Sequence, residues 1–198
     1  MDAPVARPWI TVVTGVPRSG TSMMMQMLRA GGMPVATDGV RAPDEDNPRG
    51  YLELEAVKEL RESDPGALFA GLAGHAVKVV HPLVYRLPAG RPCRVLAMRR
   101  DLDEVLGSQE VMLARRGHSA ARAGGELRGA LEREAGRLQA WLAERGLPVL
   151  TLRYDEVVAD PEAHARAVDA FLGGGLDVER MAAAVDPALH RRRAPAYR

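Results

Sequence analysis

The chain has one cysteine among 198 residues, Cys93. A lone thiol excludes an internal disulfide and points to a reducing compartment. Aromatic residues are scarce, at 4%, and 27 Lys and Arg stand against 26 Asp and Glu, for a net charge of +1. Neither a nucleic-acid module built on basic surface and stacking rings nor an anionic membrane partner is supported by those figures. No apolar run approaches the ~20 residues of a membrane-spanning helix. Residues 1–9 carry no signal-peptide core, so the expected location is the cytoplasm. His75, His118, His164 and His190 have neither ligand spacing nor a neighbouring cysteine, and no metal is expected. Internal repeats, low-complexity tracts and linkers are missing too.

What remains is an ordinary globular composition, 46% hydrophobic and 27% charged. A chain of this length suits one domain, residues 1–198, with a substantial core. Four runs rich in Val, Leu and Ile, at 9–14, 76–81, 93–98 and 148–154, read as strands buried on both faces. Helix-length segments lie between them. The alternation predicts an α/β fold: a P-loop-type, doubly wound parallel sheet flanked by helices.

Boundary signals agree with this. Asp101 and Glu104 form a capping-box pattern, followed by Leu102, Val105, Leu106, Met112 and Leu113 on one face. Residues 126–144 read as an amphipathic surface helix ended by Gly146 and Pro148. Asp160-Pro-Glu162 opens another helix, closed by Gly173. Residues 37–50 read as a loop. Residues 190–198, with Arg191-Arg-Arg193, read as a solvated, disordered tail. Met23, Met24, Met25 and Met27 read as core fillers.

The most informative stretch is Gly15-Val-Pro-Arg-Ser-Gly-Thr-Ser22, between the first strand and an apolar helix start. A glycine loop leading into a helix N-terminus offers N–H groups to an anion. Gly15 and Gly20 are spaced as in the nucleoside-triphosphate loop G-x-x-x-x-G-K-[ST], but Thr21 occupies the lysine position and the cation, Arg18, lies within the loop. A phosphate cradle is kept without the triphosphate lysine. Arg18, Ser19, Gly20, Thr21 and Ser22 are the candidate anion-binding residues. Arg100 ends the third strand, and Ser108 lies eight residues further, two turns along the next helix.

The loop, the Arg100…Ser108 pair and Arg153-Tyr-Asp-Glu-Val157 together resemble sulfotransferases that use 3′-phosphoadenosine 5′-phosphosulfate. Asn47-Pro-Arg-Gly-Tyr-Leu-Glu53 is similar to small bacterial members of that family. The resemblance implies that Arg18 to Ser22 hold the 5′-phosphosulfate, that Arg100 and Ser108 hold the 3′-phosphate, and that Tyr154 touches the adenosine. It implies the phosphosulfate as co-substrate, with no metal. The Arg-Lys-Gly run with which many cytosolic members hold the 3′-phosphate is missing; Arg191-Arg-Arg193 reads either as its substitute or, by preference, as a solvated tail.

Sulfuryl transfer needs cations and amides more than Mg²⁺, and Arg18 would neutralise charge on the leaving oxygen. The acceptor must lose a proton, and two bases stay open, Glu53 and His81, with Glu53 put first. An imidazole near pKa ~6.5 suits neutral pH, whereas a carboxylate near ~4.3 needs burial to strengthen it. Lys78 is a further candidate for the sulfuryl oxygens. The leading expectation is sulfuryl transfer to a hydroxyl or amine of a small-molecule, sugar, lipid or peptide acceptor. The alternatives are a P-loop phosphotransferase with an atypical loop and a non-catalytic nucleotide-binding protein of the same fold.

Overall fold

Strand β1 (Ile10–Thr14) is buried along its whole length. The reason is its position in the sheet. In the computed structural model, which describes residues 7–45, 47–61, 64–115 and 124–189, β1 pairs in parallel with β2 (Ala76–Lys78) on one side and β3 (Cys93–Arg99) on the other. Strand β4 (Val149–Arg153) pairs in parallel with β3, so the order is β2-β1-β3-β4. The period-2 alternation of side chains sorts the apolar runs onto two faces. Val13, Leu96, Met98 and Leu152 meet α1 (Thr21–Ala30), α6 (Pro161–Phe171) and α7 (Val178–Ala183). Val12, Val77, Val95 and Ala97 meet Phe69 of α2 (Pro65–Phe69) and Leu138 and Leu142 of α4 (Gly124–Glu144). The result is an α/β fold with a four-stranded parallel sheet flanked by helices.

The sequence runs match the strands closely, with one difference. The second run reads as a strand to residue 81, but β2 stops at Lys78. The chain still follows β1, since Val79 N–H donates to the Val13 carbonyl at 3.0 Å and His81 N–H to Gly15 at 3.2 Å. It then enters a 3₁₀ turn at Leu83–Arg86.

The helix signals are realised locally. The Asp101 carboxylate accepts from Asp103 N–H at 2.9 Å and Glu104 N–H at 3.3 Å, capping α3 (Leu102–Arg115). Glu104 itself accepts from Arg100 Nε at 2.8 Å, a use of the box that serves the site. Asp160 caps α6 through Ala163 N–H at 3.0 Å, with Pro161 in the first turn. The short α5 (Tyr154–Ala159) follows β4 directly. Met24, Met25 and Met27 are fully buried, whereas Met23 is only half-buried and borders the main cavity. Among the described residues of 37–50 there is a bridge between Asp44 and Asn47 but no helix. Arg191-Arg-Arg193 and the rest of 190–198 lie outside the described residues, as do His118 and His190.

Candidate functional site

A cavity of about 610 Å³ opens at the C-terminal ends of the strands, where parallel α/β sheets bind their ligands. Every strand sends residues to it: Pro17, Arg18 and Gly20 to Met23 after β1, Lys78 and Val80 around the end of β2, Arg100 after β3, and Tyr154 after β4. Among the described residues, Arg18, Arg41, Lys58, Lys78 and Arg100 line it against a single carboxylate, Glu53. A chain of net charge +1 therefore concentrates positive charge in one hollow.

The loop after β1 is shaped by its glycines. Gly15 has φ 153°, and a Cβ there would lie 2.6 Å from the Met98 carbonyl oxygen and collide with Ser19 Oγ. Gly20 has φ 100° and precedes α1; a Cβ would come within 2.5 Å of the Tyr154 ring. The loop is thus pressed against β3 and α5 with no room for a side chain at either glycine, and the first N–H groups of α1 have no intrahelical acceptor. Arg18 takes φ 73°, a left-handed conformation that costs a non-glycine residue roughly 1 kcal/mol or more.

Long-range contacts join the sequence-predicted residues. Arg18 Nε donates to Ser108 Oγ at 2.8 Å. The Arg100 guanidinium lies 4.3 Å over the Tyr154 ring and reaches the Arg18 carbonyl at 3.4 Å. Burial pushes the Tyr154 hydroxyl above its ordinary pKa, against the pull of Arg100. Arg18, Gly20, Thr21, Ser22, Arg100, Ser108 and Tyr154 therefore share one wall. Ser19 does not line it. Its fully buried side chain turns behind the loop, and Oγ finds no hydrogen-bond partner among the described residues.

The opposite end is built around Glu53. Its carboxylate accepts from Lys78 Nζ at 2.9 Å and from Arg41 at 3.1 and 3.2 Å. Lys78, whose side chain is 5% exposed, also donates to Ser22 Oγ at 3.0 Å and to the Tyr51 carbonyl at 3.4 Å. Burial raises the Glu53 carboxyl, but Lys78 and Arg41 outweigh burial and hold it below its ordinary pKa. Burial draws the Lys78 ammonium down, with Glu53 opposing. Arg41 stacks 3.3 Å over the Tyr51 ring, and the Tyr51 hydroxyl donates to the Asp44 carboxylate at 2.8 Å. Leu52, between Tyr51 and Glu53, takes φ 48° and is the other non-glycine residue with positive φ among the described residues.

His81 is not brought to the cavity. Its Nε2 faces the Glu134 carboxylate on α4, and its ring stands edge-on to Tyr85 at 5.3 Å. Burial draws the imidazole below its ordinary pKa, while Glu134 pulls the other way. Of the two candidate bases, Glu53 alone lines the cavity. The sequence reading did not single out Arg41 or Tyr51. Tyr51 lies in the stretch Asn47 to Glu53, whose folded shape depends on the left-handed turn at Leu52, whereas Arg41 carried no local signal.

No protein-family model matches the chain, and no curated protein does either. Among solved structures, it is similar to a sulfotransferase domain from the curacin biosynthetic pathway, with 15% identity, a TM-score of 0.53, and coverage of 94% of this chain and 90% of that one. An unliganded sugar kinase from Janibacter sp. HTCC2649 aligns with 15% identity over 91% of this chain and 97% of its own length, but at a TM-score of 0.41 it carries no weight. The first likeness identifies the fold of this chain as one that a sulfotransferase domain also adopts.

Proposed function

We propose that this protein transfers a sulfuryl group from 3′-phosphoadenosine 5′-phosphosulfate to the hydroxyl or amine of an acceptor, on a doubly wound, P-loop-type sheet. One observation carries the reading: Arg18, Arg100, Ser108 and Tyr154, drawn from three distant stretches of sequence, converge on one cationic cavity at the start of α1. The volume and charge of the cavity favour a nucleoside ligand phosphorylated at both the 3′ and the 5′ position of its ribose. Its volume falls in the ~300–1,000 Å³ range of ligand sites, its walls carry five cations, and Gly20 lets the backbone approach closely.

When bound, the donor supplies the sulfuryl group: the acceptor atom bonds to sulfur, the bond from sulfur to the bridging phosphate oxygen breaks, and 3′,5′-adenosine bisphosphate leaves. The chain's own residues do the rest. Arg18 and the α1 N-terminus meet the charge that grows on the leaving oxygen. Ser108, accepting from Arg18, and Arg100, stacked on Tyr154, are suited to the 3′-phosphate. Glu53 is ionised at neutral pH and takes the acceptor proton. A weak base suffices where the transition state is loose, because the proton moves late. Lys78 bridges Glu53 and Ser22 and stands ready for the transferred oxygens.

One observation favours a second reading, phosphotransfer: the Lys78 ammonium rests on Ser22 at the start of α1, where it could replace the missing loop lysine. A thermal-shift comparison separates the two. We expect 3′,5′-adenosine bisphosphate at a hundred times its Kd to stabilise the native state by ~2.7 kcal/mol, with ATP and Mg²⁺ giving less. Stabilisation by ATP and Mg²⁺ alone would point to phosphotransfer, and no shift from either ligand would overturn both readings. Binding of the bisphosphate without donor turnover in chelator would leave a nucleotide-binding protein.

A further inference from the structure

The end of the cavity around Glu53 carries apolar side chains beside its charged groups. Its polar groups are bonded to one another: Glu53 to Lys78 and Arg41, Lys78 to Ser22, Lys58 to Glu55 at 2.7 Å, and Asn47 to the Gly50 carbonyl at 2.8 Å. Beside these groups the lining is apolar, formed by Leu54, Val57, Val80 and Leu83. Sequence and packing fix these residues beside the candidate base. Leu54 follows Glu53 directly, Val57 lies on the 3₁₀ turn at Glu55–Arg61, and Val80 and Leu83 follow Lys78. The two 3₁₀ turns pack together, and Val57, Leu54 and Leu83 belong to one apolar cluster.

A polyol in this place would set several of its hydroxyls against methyl groups. Each such hydroxyl would lose water without replacement. An apolar body loses nothing of the kind and covers the wall.

Resting on the proposed sulfuryl transfer, we infer that the acceptor is an apolar alcohol or phenol, with its hydroxyl at Glu53 and its hydrocarbon against the Leu54, Val57, Val80 and Leu83 wall, and not a sugar. The acceptor oxygen gains the sulfuryl group, its proton passes to Glu53, and the bisphosphate leaves as before.

The test uses the full chain and defined probes: ethanol, butan-1-ol, hexan-1-ol, octan-1-ol and glucose. Release of 3′,5′-adenosine bisphosphate should rise in kcat/KM along the alcohol series by about fourfold per methylene until the wall is covered, with glucose below butan-1-ol. Octan-1-ol should also raise the melting temperature further when added to the bisphosphate complex, a readout that needs no turnover. Leu83→Gln should flatten the alcohol series while the shift produced by the bisphosphate persists, and Leu83→Ala gives the same comparison with less risk to folding. A flat series, a preference for glucose, or no turnover of any alcohol with the bisphosphate still bound would overturn this inference and leave donor binding standing. Failure of the bisphosphate to bind would overturn both.

Discussion

Glu53 and His81 are both titratable groups held against a charged side chain, and both lie near the loop after β1. Their surroundings send them to different tasks. Glu53 lies at the rim of the cavity, and its partners Lys78 and Arg41 line that cavity with it. His81 turns away, to Glu134 and Tyr85 on the far side, where it ties the chain after β2 to α4. The imidazole has the better intrinsic basicity for neutral pH, yet geometry comes before pKa in choosing a base. A group that cannot reach the acceptor contributes packing and charge balance only.

Four substitutions or conditions would break or sharpen that contrast. Glu53→Gln should lower kcat by ~10²–10⁴, the usual scale for loss of a general base, with little change in bisphosphate binding by calorimetry. A fall of tenfold or less would remove Glu53 from that role. Lys78→Met should next cost about 3 kcal/mol in urea unfolding, because a buried pair loses its cation, although Arg41 still holds Glu53. An unchanged midpoint would mean that the pair is structurally idle.

Stability should also respond to pH through Glu53. Its folded pKa lies below its ordinary value, so the unfolded chain binds the proton first. The stability linked to this carboxylate is present above about pH 4.3 and is lost as pH falls through the folded pKa. The stability gap between the wild-type chain and Glu53→Gln should therefore narrow as pH falls below about 4.3 and close once pH is below the folded pKa. A gap that persists there would contradict the ion-pair account. The smallest effect is expected from His81→Gln, less than about tenfold in kcat. A loss as large as that of Glu53→Gln would reverse the assignment of the two residues.

The same pair shows what a sequence can disclose. The strands, the Asp101 and Asp160 caps and the loop from Gly15 to Ser22 are short-range features, set by neighbours within a turn or two, and they were legible. Arg100 and Ser108 were legible as a pair because helical spacing fixes their offset, though not that Ser108 would accept from Arg18, ninety positions away in the chain. The sequence put Glu53 ahead of His81 but did not show which of them the fold brings to the cavity. The direction of the His81 ring depends on where α4 comes to rest, and that of Glu53 on the left-handed turn at Leu52. Arg41 was hidden for the same reason, since its stacking on Tyr51 is a consequence of loop closure and leaves no periodic mark. Met23 differs from its three methionine neighbours only in the face of α1 it occupies, which the helical period could have indicated.

Lys78 has a consequence of its own. One ammonium touches Ser22, where the nucleotide would be gripped, and Glu53, where the acceptor would give up its proton. Two ligands meeting on a shared cation cannot be energetically independent. Whatever factor the first applies to the affinity of the second, the second must return to the first, so saturating the protein with bisphosphate should alter acceptor affinity even while no reaction can occur.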